Sequence, residues 1–165
     1  MKGVNRVFNE SNRPVDWMEE TVKRNEDTMF RAAVAIMGNK ADAEDIVQDV
    51  FLKMFEKQPR LESPEHETAW LIRVTANLCK SRLRSHWRKT TIPLLDAYPA
   101  QTGSQHEIME TILSLPPKYR TVIHLFYFEG YTTKEIADIT NQKEPAVRKQ
   151  LARARLMLKN FLEGE

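Results

Sequence analysis

Between residues 73 and 89 the charged side chains are Arg73, Lys80, Arg82, Arg84, Arg88 and Lys89, and no acid stands among them. On a helix turning about 100° per residue, Arg73, Asn77, Lys80 and Arg84 fall within about 60° of one another, with Leu71, Val74 and Leu78 on the other side. Cations for phosphates and an amide for a base edge are what duplex recognition requires. A merely solvated basic face would ordinarily carry glutamates at i, i+4 to its lysines, so the pattern favours nucleic acid over a plain surface. Trp70 lies beside the apolar side and reads as core before it reads as a base-stacking platform. Trp87 follows the stripe, and stacking or packing stays open for it.

A second basic constellation lies near the C-terminus. Val147, Leu151, Ala154 and Leu158 cluster within about 60° on a helical wheel and form a buried seam, while Arg148, Lys149, Arg153, Arg155 and Lys159 spread over the rest. Upstream, Thr132-Thr133-Lys134-Glu135 has capping-box spacing and opens a short helix over 133–139 with Ile136, Ala137 and Ile139 inward. The turn at 140–143 includes Asn141, a residue that tolerates positive φ. Such a pair has helix-turn-helix character. Its second member would set its N-terminal residues against base edges, which selects Arg148, Lys149 and Arg153. An amphipathic packing helix is the alternative; the basic footprint and the turn together favour recognition.

The helix expected over 42–57 has the opposite sign. Ile46, Val47, Val50, Phe51, Met54 and Phe55 make a buried stripe. Asp45, Gln48, Asp49, Leu52, Lys53 and Glu56 lie outward, and the acids Asp42, Glu44, Asp45, Asp49 and Glu56 outnumber Lys53. This is either a solvated face with acids near a helix N-terminus or a docking face for a basic protein partner. Leu52 among polar groups hints at the second.

Catalytic and metal chemistry find no support. There is no glycine-rich phosphate loop. His66, His86, His106 and His124 share no metal-ligand spacing, and His124 sits among apolar residues as a packed histidine. Asp42, Glu44, Asp45 and Asp49 spread around a helix axis with no loop to gather them round a cation. The single cysteine, Cys79, can form neither an intramolecular disulfide nor a zinc cluster, which suits a reducing cytoplasm. No cofactor and no small-molecule substrate are implied.

The elements that must position these faces are helices. The chain has 165 residues and a net charge of +2, room for one ordinary domain or two small ones. Residues 1–15 read as a flexible arm with no apolar run for a signal peptide. Helices are expected over 16–37, capped by Asp16 and stopped by Gly38-Asn39, then over 42–57 and 65–89. Residues 90–105 hold Pro93, Pro99, Gly103 and Ser104 and read as a linker. Helices resume over 106–115, 118–129 (closed by Gly130), 133–139 and 144–162. The expected fold is all-α: two small helical domains, 16–90 and 106–165, joined by a flexible linker at 91–105, the second a helix-turn-helix domain.

Three segments, ADAEDIVQDVFLKMFE, ETAWLIRVTANLCKSRLR and LPPKYRTVIHLFYFEGYTTKEIADITNQKEPAVRKQLARARLMLK, together resemble the extracytoplasmic-function (ECF, group 4) sigma factors of bacterial RNA polymerase, over nearly all of residues 16–162. The resemblance implies that the helix over 42–57 docks on core RNA polymerase through Asp45, Gln48, Asp49 and Leu52. It implies that the next helix reads and helps open the −10 promoter element through Arg73, Asn77, Lys80 and Arg84, and that residues 60–67 capture an unstacked base. The last helix would read the −35 element of promoter DNA through Arg148, Lys149 and Arg153. An anti-sigma factor is implied as a further partner. A stand-alone helix-turn-helix regulator could share the third segment but would not be expected to carry the first two.

The chain departs from the family pattern in the second domain. The family usually has Gly where Asn141 stands, a Ser-type cap where Lys143 stands, and Gly-Thr where Pro145-Ala146 stands. Proline suits a first helical turn, but the missing cap would cost about 1 kcal/mol. Lys149 and Gln150 are unusual at base-reading positions, so the −35 sequence does not follow from relatives.

Overall fold

The computed structural model describes residues 14–85 and 103–164. Its helices are α1 (Pro14–Met37), α2 (Lys40–Lys57), α3 (Pro64–Ser85), α4 (Gly103–Ser114), α5 (Pro117–Ile123, continued by a π-helical turn over His124–Phe128), α6 (Thr133–Thr140) and α7 (Glu144–Glu163), with no strand among the described residues. The all-α expectation holds.

Local chemistry accounts for most boundaries. α1 starts at Pro14 and not at Asp16, because proline's fixed φ and missing N–H suit a first turn; Asp16 becomes a first-turn acid at the helix's positive end. Gly38 closes α1 at φ 75°, and the Asn39 side chain accepts the Asp42 N–H at 2.8 Å to open α2. Gln58, at φ 41°, ends α2 just before Pro59. The Ser63 hydroxyl accepts the His66 N–H at 3.1 Å and starts α3. α4 begins at Gly103, inside the stretch read as a linker. The remainder of that stretch, the proposed arm over 1–13, and His86, Trp87, Arg88 and Lys89 lie outside the described residues.

α1, α2 and α3 pack on one another around Met29, Ile46, Met54, Leu71 and Ile72. α4 to α7 surround Leu115, Ile123, Leu125, Ile136 and Leu151. Each such side chain contributes about 1.5–3 kcal/mol when withdrawn from water. The two sets join into one apolar cluster, because α5 lies against α1 and α6 against α3. Trp70 packs at the edge of this cluster, the core role expected for it. Cys79 is buried, and desolvation pushes its thiol up to about 12, so it is inert as a nucleophile.

α2 departs from its expected stripe at one position: Phe55 is 47% exposed. Two neighbouring helices cover only part of the circumference of α2, and Phe55 stands beyond their edge. The start of α3 is held by a polar knot. Glu67, 2% exposed, accepts from Arg24 Nη2 at 2.9 Å, Asn25 Nδ2 at 3.0 Å and Thr21 Oγ1 at 3.3 Å. Thr68 Oγ1 donates to Asn25 Oδ1 at 2.6 Å. A buried carboxylate is tolerable only when its lone pairs are matched in this way.

Candidate nucleic-acid and protein interfaces

On α3 the side of the helix given by Leu71, Ile72, Thr75, Ala76 and Cys79 is buried. Arg73, Asn77, Lys80 and Arg84 are all exposed, and none has an ion pair with another described residue. The fourth described cation of the run behaves differently. Arg82 turns toward α2, with Nη1 at 3.3 Å from Asp45 Oδ2 and 4.0 Å from Asp42 Oδ1, and Nη2 at 3.3 Å from Asp49 Oδ2. With Glu44 set aside, Asp42, Asp45 and Asp49 fall within about 60° on a helical wheel, so the acidic line was legible in the sequence, though not the cation that meets it.

The four residues assigned to polymerase docking therefore have two kinds of surroundings. Asp45 and Asp49 are neutralised in part by Arg82. Gln48 and Leu52, the latter 55% exposed, line an apolar groove between α1 and α2 with Met18, Val22, Phe51 and Phe55. Sequence reasoning missed the groove, since its floor is shared between two helices and neither periodicity alone shows it.

In the second half, the capping box at α6 forms as expected: Glu135 N–H donates to Thr132 Oγ1 at 3.2 Å, and Thr132 N–H donates to Glu135 Oε2 at 2.8 Å. The Thr132 N–H, and then the Thr132 hydroxyl donating to the same oxygen at 2.8 Å, hold the Glu135 carboxyl below its ordinary value. Asn141 adopts φ 53°, the left-handed position that the family's usual glycine would take. Lys143 gives α7 no side-chain cap. The first turn of α7 is tied instead to α6, where Thr133 Oγ1 donates to Glu144 Oε1 at 2.7 Å. A glutamine relay braces the turn: Gln150 Nε2 donates to Gln142 Oε1 at 2.7 Å, and Gln142 Nε2 to Thr140 Oγ1 at 2.9 Å.

Val147, Leu151 and Ala154 form the buried seam of α7, with Leu158 partly covered. Of the three residues assigned to −35 reading, Lys149 is exposed and has no ion pair with a described residue. Arg148 is exposed but donates to Glu144 Oε1 at 2.8 Å. Arg153 reaches the Tyr119 hydroxyl on α5, and this contact, the largest cause, lowers the phenol from its ordinary value. Arg155 is clamped to the π-helical turn: its Nε donates to Tyr127 Oη at 2.8 Å, and its guanidinium lies over the Phe126 and Tyr127 rings. His124 is packed as expected, buried, with Nε2 3.0 Å from Glu129 Oε1 and its ring stacked on Phe128. Among the described residues no group of His, Cys, Asp and Glu is placed to hold a metal ion.

Two family models match the chain, Sigma-70 region 2 over residues 21–89 and Sigma-70, region 4 over residues 105–158. A probable RNA polymerase sigma factor, RfaY of Xanthomonas campestris, is 29% identical over 152 residues, covering 83% of this chain and 38% of that protein. The ECF RNA polymerase sigma factor SigE of Mycolicibacterium smegmatis is 29% identical over 157 residues, covering 87% of this chain and 61% of that protein. The chain thus spans less than two thirds of the length of these two curated relatives. The fold resembles that of the sigma factor RpoE of Bartonella quintana, solved in complex with the anti-sigma factor NepR, with a TM-score of 0.73, 23% identity, and coverage of 88% of this chain and 96% of that one. With Sigma-70 regions 2 and 4 matched in order along one helical chain, the protein belongs to the sigma-70 family.

Proposed function

We propose that the chain is a group 4 sigma factor that binds core RNA polymerase and directs promoter-specific initiation. Region 2 (residues 16–90) would dock on the polymerase and read the −10 element, region 4 (106–165) would read the −35 element, and 91–105 would link them. The observation that carries this reading is the acid-free, exposed stripe of Arg73, Asn77, Lys80 and Arg84 on α3, in the same chain as a capped helix-turn-helix. The stripe supplies phosphate contacts and an amide for a base edge. On α7, Lys149 is the side chain best placed to choose a base, and Arg148 can join it by exchanging Glu144 for DNA. Asp45, Gln48, Asp49 and Leu52 form the docking face, Gln48 and Leu52 through the groove and the acids through charge. The chain acts by binding, and the polymerase performs the chemistry. The NepR complex of the Bartonella relative supports an anti-sigma factor as a further partner. No described helix is long and apolar enough to cross a membrane, and the proposed site of action is the cytoplasm, with the polymerase.

Co-purification with core polymerase followed by transcription from genomic fragments tests the reading. Core binding with promoter-dependent initiation is expected. Tight duplex binding without polymerase, by a dimer, would instead indicate a stand-alone regulator. The docking face is tested by replacing Gln48 and Leu52 together with Ala, which leaves the buried residues of α2 untouched. Polymerase binding should weaken in a folded protein, and unchanged co-purification would exclude this face.

A further inference from the structure

We propose that Arg82 is a charge switch between the two faces of region 2. It holds Asp45 and Asp49 while the chain is free, yields them to a cation of core polymerase on docking, and is thereby released to the −10 DNA. This coupling deepens the function proposed above and rests on its docking and −10 faces.

Arg82 bridges the two helices that carry those faces. It stands in the last turn of α3, and its two arms reach separate carboxylates of α2: Nη1 lies 3.3 Å from Asp45 Oδ2, and Nη2 lies 3.3 Å from Asp49 Oδ2. Asp45 and Asp49 are one helical turn apart, so the planar fork of a guanidinium can span them where an ammonium would meet one. Among the described residues no other cation pairs with either acid. The remaining acids of this segment have other duties. Asp42 is tied into the start of α2, its Oδ2 accepting from Asn39 Nδ2 at 2.6 Å and its N–H donating to Asn39 Oδ1 at 2.8 Å. Glu44 Oε1 lies 3.6 Å from Lys40 Nζ. The two acids assigned to docking are therefore the two that Arg82 holds.

Exposure makes the pairing exchangeable. The Arg82 side chain is 24% exposed, Asp45 63% and Asp49 48%. Ion pairs so open to water are weak and are screened by salt. The knot at Glu67 is the opposite case, a carboxylate 2% exposed that no partner can approach. A cation presented by the polymerase can thus replace Arg82 on Asp45 and Asp49 with little net loss, because the acids stay neutralised throughout.

The exchange leaves one more free cation on α3. Arg73, Lys80 and Arg84 are already exposed without an ion pair to a described residue, and α3 carries no acid from residue 73 to its end, so nothing on its own helix recaptures Arg82. Arg82 and Arg84 share the last turn, and a long stem at a helix end can turn toward the strand that Arg84 meets. Linkage makes the effect mutual: if docking releases Arg82 to DNA, then DNA that takes Arg82 uncovers the acids and tightens docking.

Arg82→Gln, which keeps most of the stem and removes the charge, tests the switch, with Arg82→Lys as the charge-preserving control and circular dichroism to confirm helicity. In titrations of core polymerase without DNA, Arg82→Gln should bind about threefold more tightly than the wild type at about 0.1 M salt, since an internal competitor is gone. The difference should fade toward about 1 M salt, where charges are screened within about 3 Å. Arg82→Lys should stay near the wild type. Equal or weaker docking by Arg82→Gln, or a difference that persists at high salt, would overturn the competition. With the reconstituted holoenzyme on a forked −10 probe, Arg82→Gln should flatten the dependence of log Kobs on log salt by about 0.9, one phosphate contact. On the free chain, measured at low salt on duplex of any sequence, the two proteins should share one slope, because Arg82 is engaged there. Equal slopes in the holoenzyme, or the same loss of slope in the free chain, would overturn the transfer to DNA. A wild type that binds no core polymerase would remove the sigma reading itself, a result distinct from a wild type that docks no differently from Arg82→Gln.

Discussion

α3 and α7 both carry basic faces, and they hold their cations in different ways. On α3, Arg73, Lys80 and Arg84 stand exposed without an ion pair to any described residue, and only Arg82 is turned to the acids of α2. On α7, Arg148 is on Glu144, Arg153 on Tyr119, Arg155 on Tyr127, and Lys159 3.8 Å from Glu163. A cation without an internal partner gives up only water and counterions when it meets a phosphate. A paired one also gives up its partner, so its net gain is smaller. The first helix is thus suited to affinity and to holding a melted strand. The second is suited to selection, through the few side chains, Lys149 first, that the packing leaves available.

The comparison breaks most readily on the stripe. Replacing Arg73, Lys80 and Arg84 together with Ala should flatten the dependence of log Kobs on log salt by about 2.7, at about 0.9 for each phosphate left without its cation. It should also abolish stable binding to −10 probes at moderate salt. Asn77→Ala, which removes no charge, should leave the slope alone and reduce permanganate reactivity of the melted strand. An unaltered slope in the triple variant would remove the stripe from the interface.

Next in size is Lys149→Ala. It should cost about 1–3 kcal/mol on the preferred −35 sequence and relax the choice at one position. Arg155→Ala should leave the selected sequence as it was, because Arg155 is committed to Tyr127. Selection from a random −35 library compares them, and a shift with Arg155→Ala but not with Lys149→Ala would reverse the orientation assigned to α7.

A smaller effect tests the frame that holds α7. Thr132→Ala removes the acceptor for the Glu135 N–H and should cost about 1 kcal/mol of stability, read by denaturant unfolding. No loss would mean that the box forms without supporting the turn.

The smallest effect is one of pH. The Glu135 carboxyl is lowered by the Thr132 N–H and hydroxyl, and the Glu144 carboxyl by the Thr133 hydroxyl and then Arg148. Both fall below their unfolded values, so their stabilisation is complete above the ordinary carboxylate range and is lost as pH falls through the lowered folded values. The melting temperature of the wild type should therefore drop more steeply below about pH 4 than that of a Glu135→Gln, Glu144→Gln double variant. Parallel curves would show that neither carboxyl contributes.

Much of the architecture was legible before any packing was known. Gly130, Asn141 and the Thr132 box marked helix ends because caps act within one turn of chain. The seam of α7 followed from helical spacing, since a helix buries its apolar face, whereas on α3 only Leu71 of the expected side is buried: the seam turns to Ile72, Thr75, Ala76 and Cys79, and Val74 and Leu78 are only partly covered, because α1 and α2 set which side is enclosed. Less legible were features shared by two elements. The groove beside Leu52 needs both α1 and α2, and the exposure of Phe55 depends on where α1 and α3 stop covering α2. The early starts at Pro14 and Gly103 were missed because proline and glycine were read as breakers, whereas at the first turn of a helix neither is a serious obstacle.

By itself the sequence determined an all-helical chain, the order of its helices, several of their caps, and which face of α2, α6 and α7 would avoid water. These depend on residue types at separations of one to four along the chain. Tertiary structure alone decided the partners of the cations that reach beyond their own helix. Arg82 and Arg84 are two residues apart, yet one is held by Asp45 and Asp49 while the other faces solvent. Arg120 follows Lys118 and Tyr119 in the sequence and becomes the cap of a helix whose last turn it reaches from 84 positions away. A guanidinium on a flexible stem can reach several surroundings, and only the placement of distant carbonyls and carboxylates selects one of them.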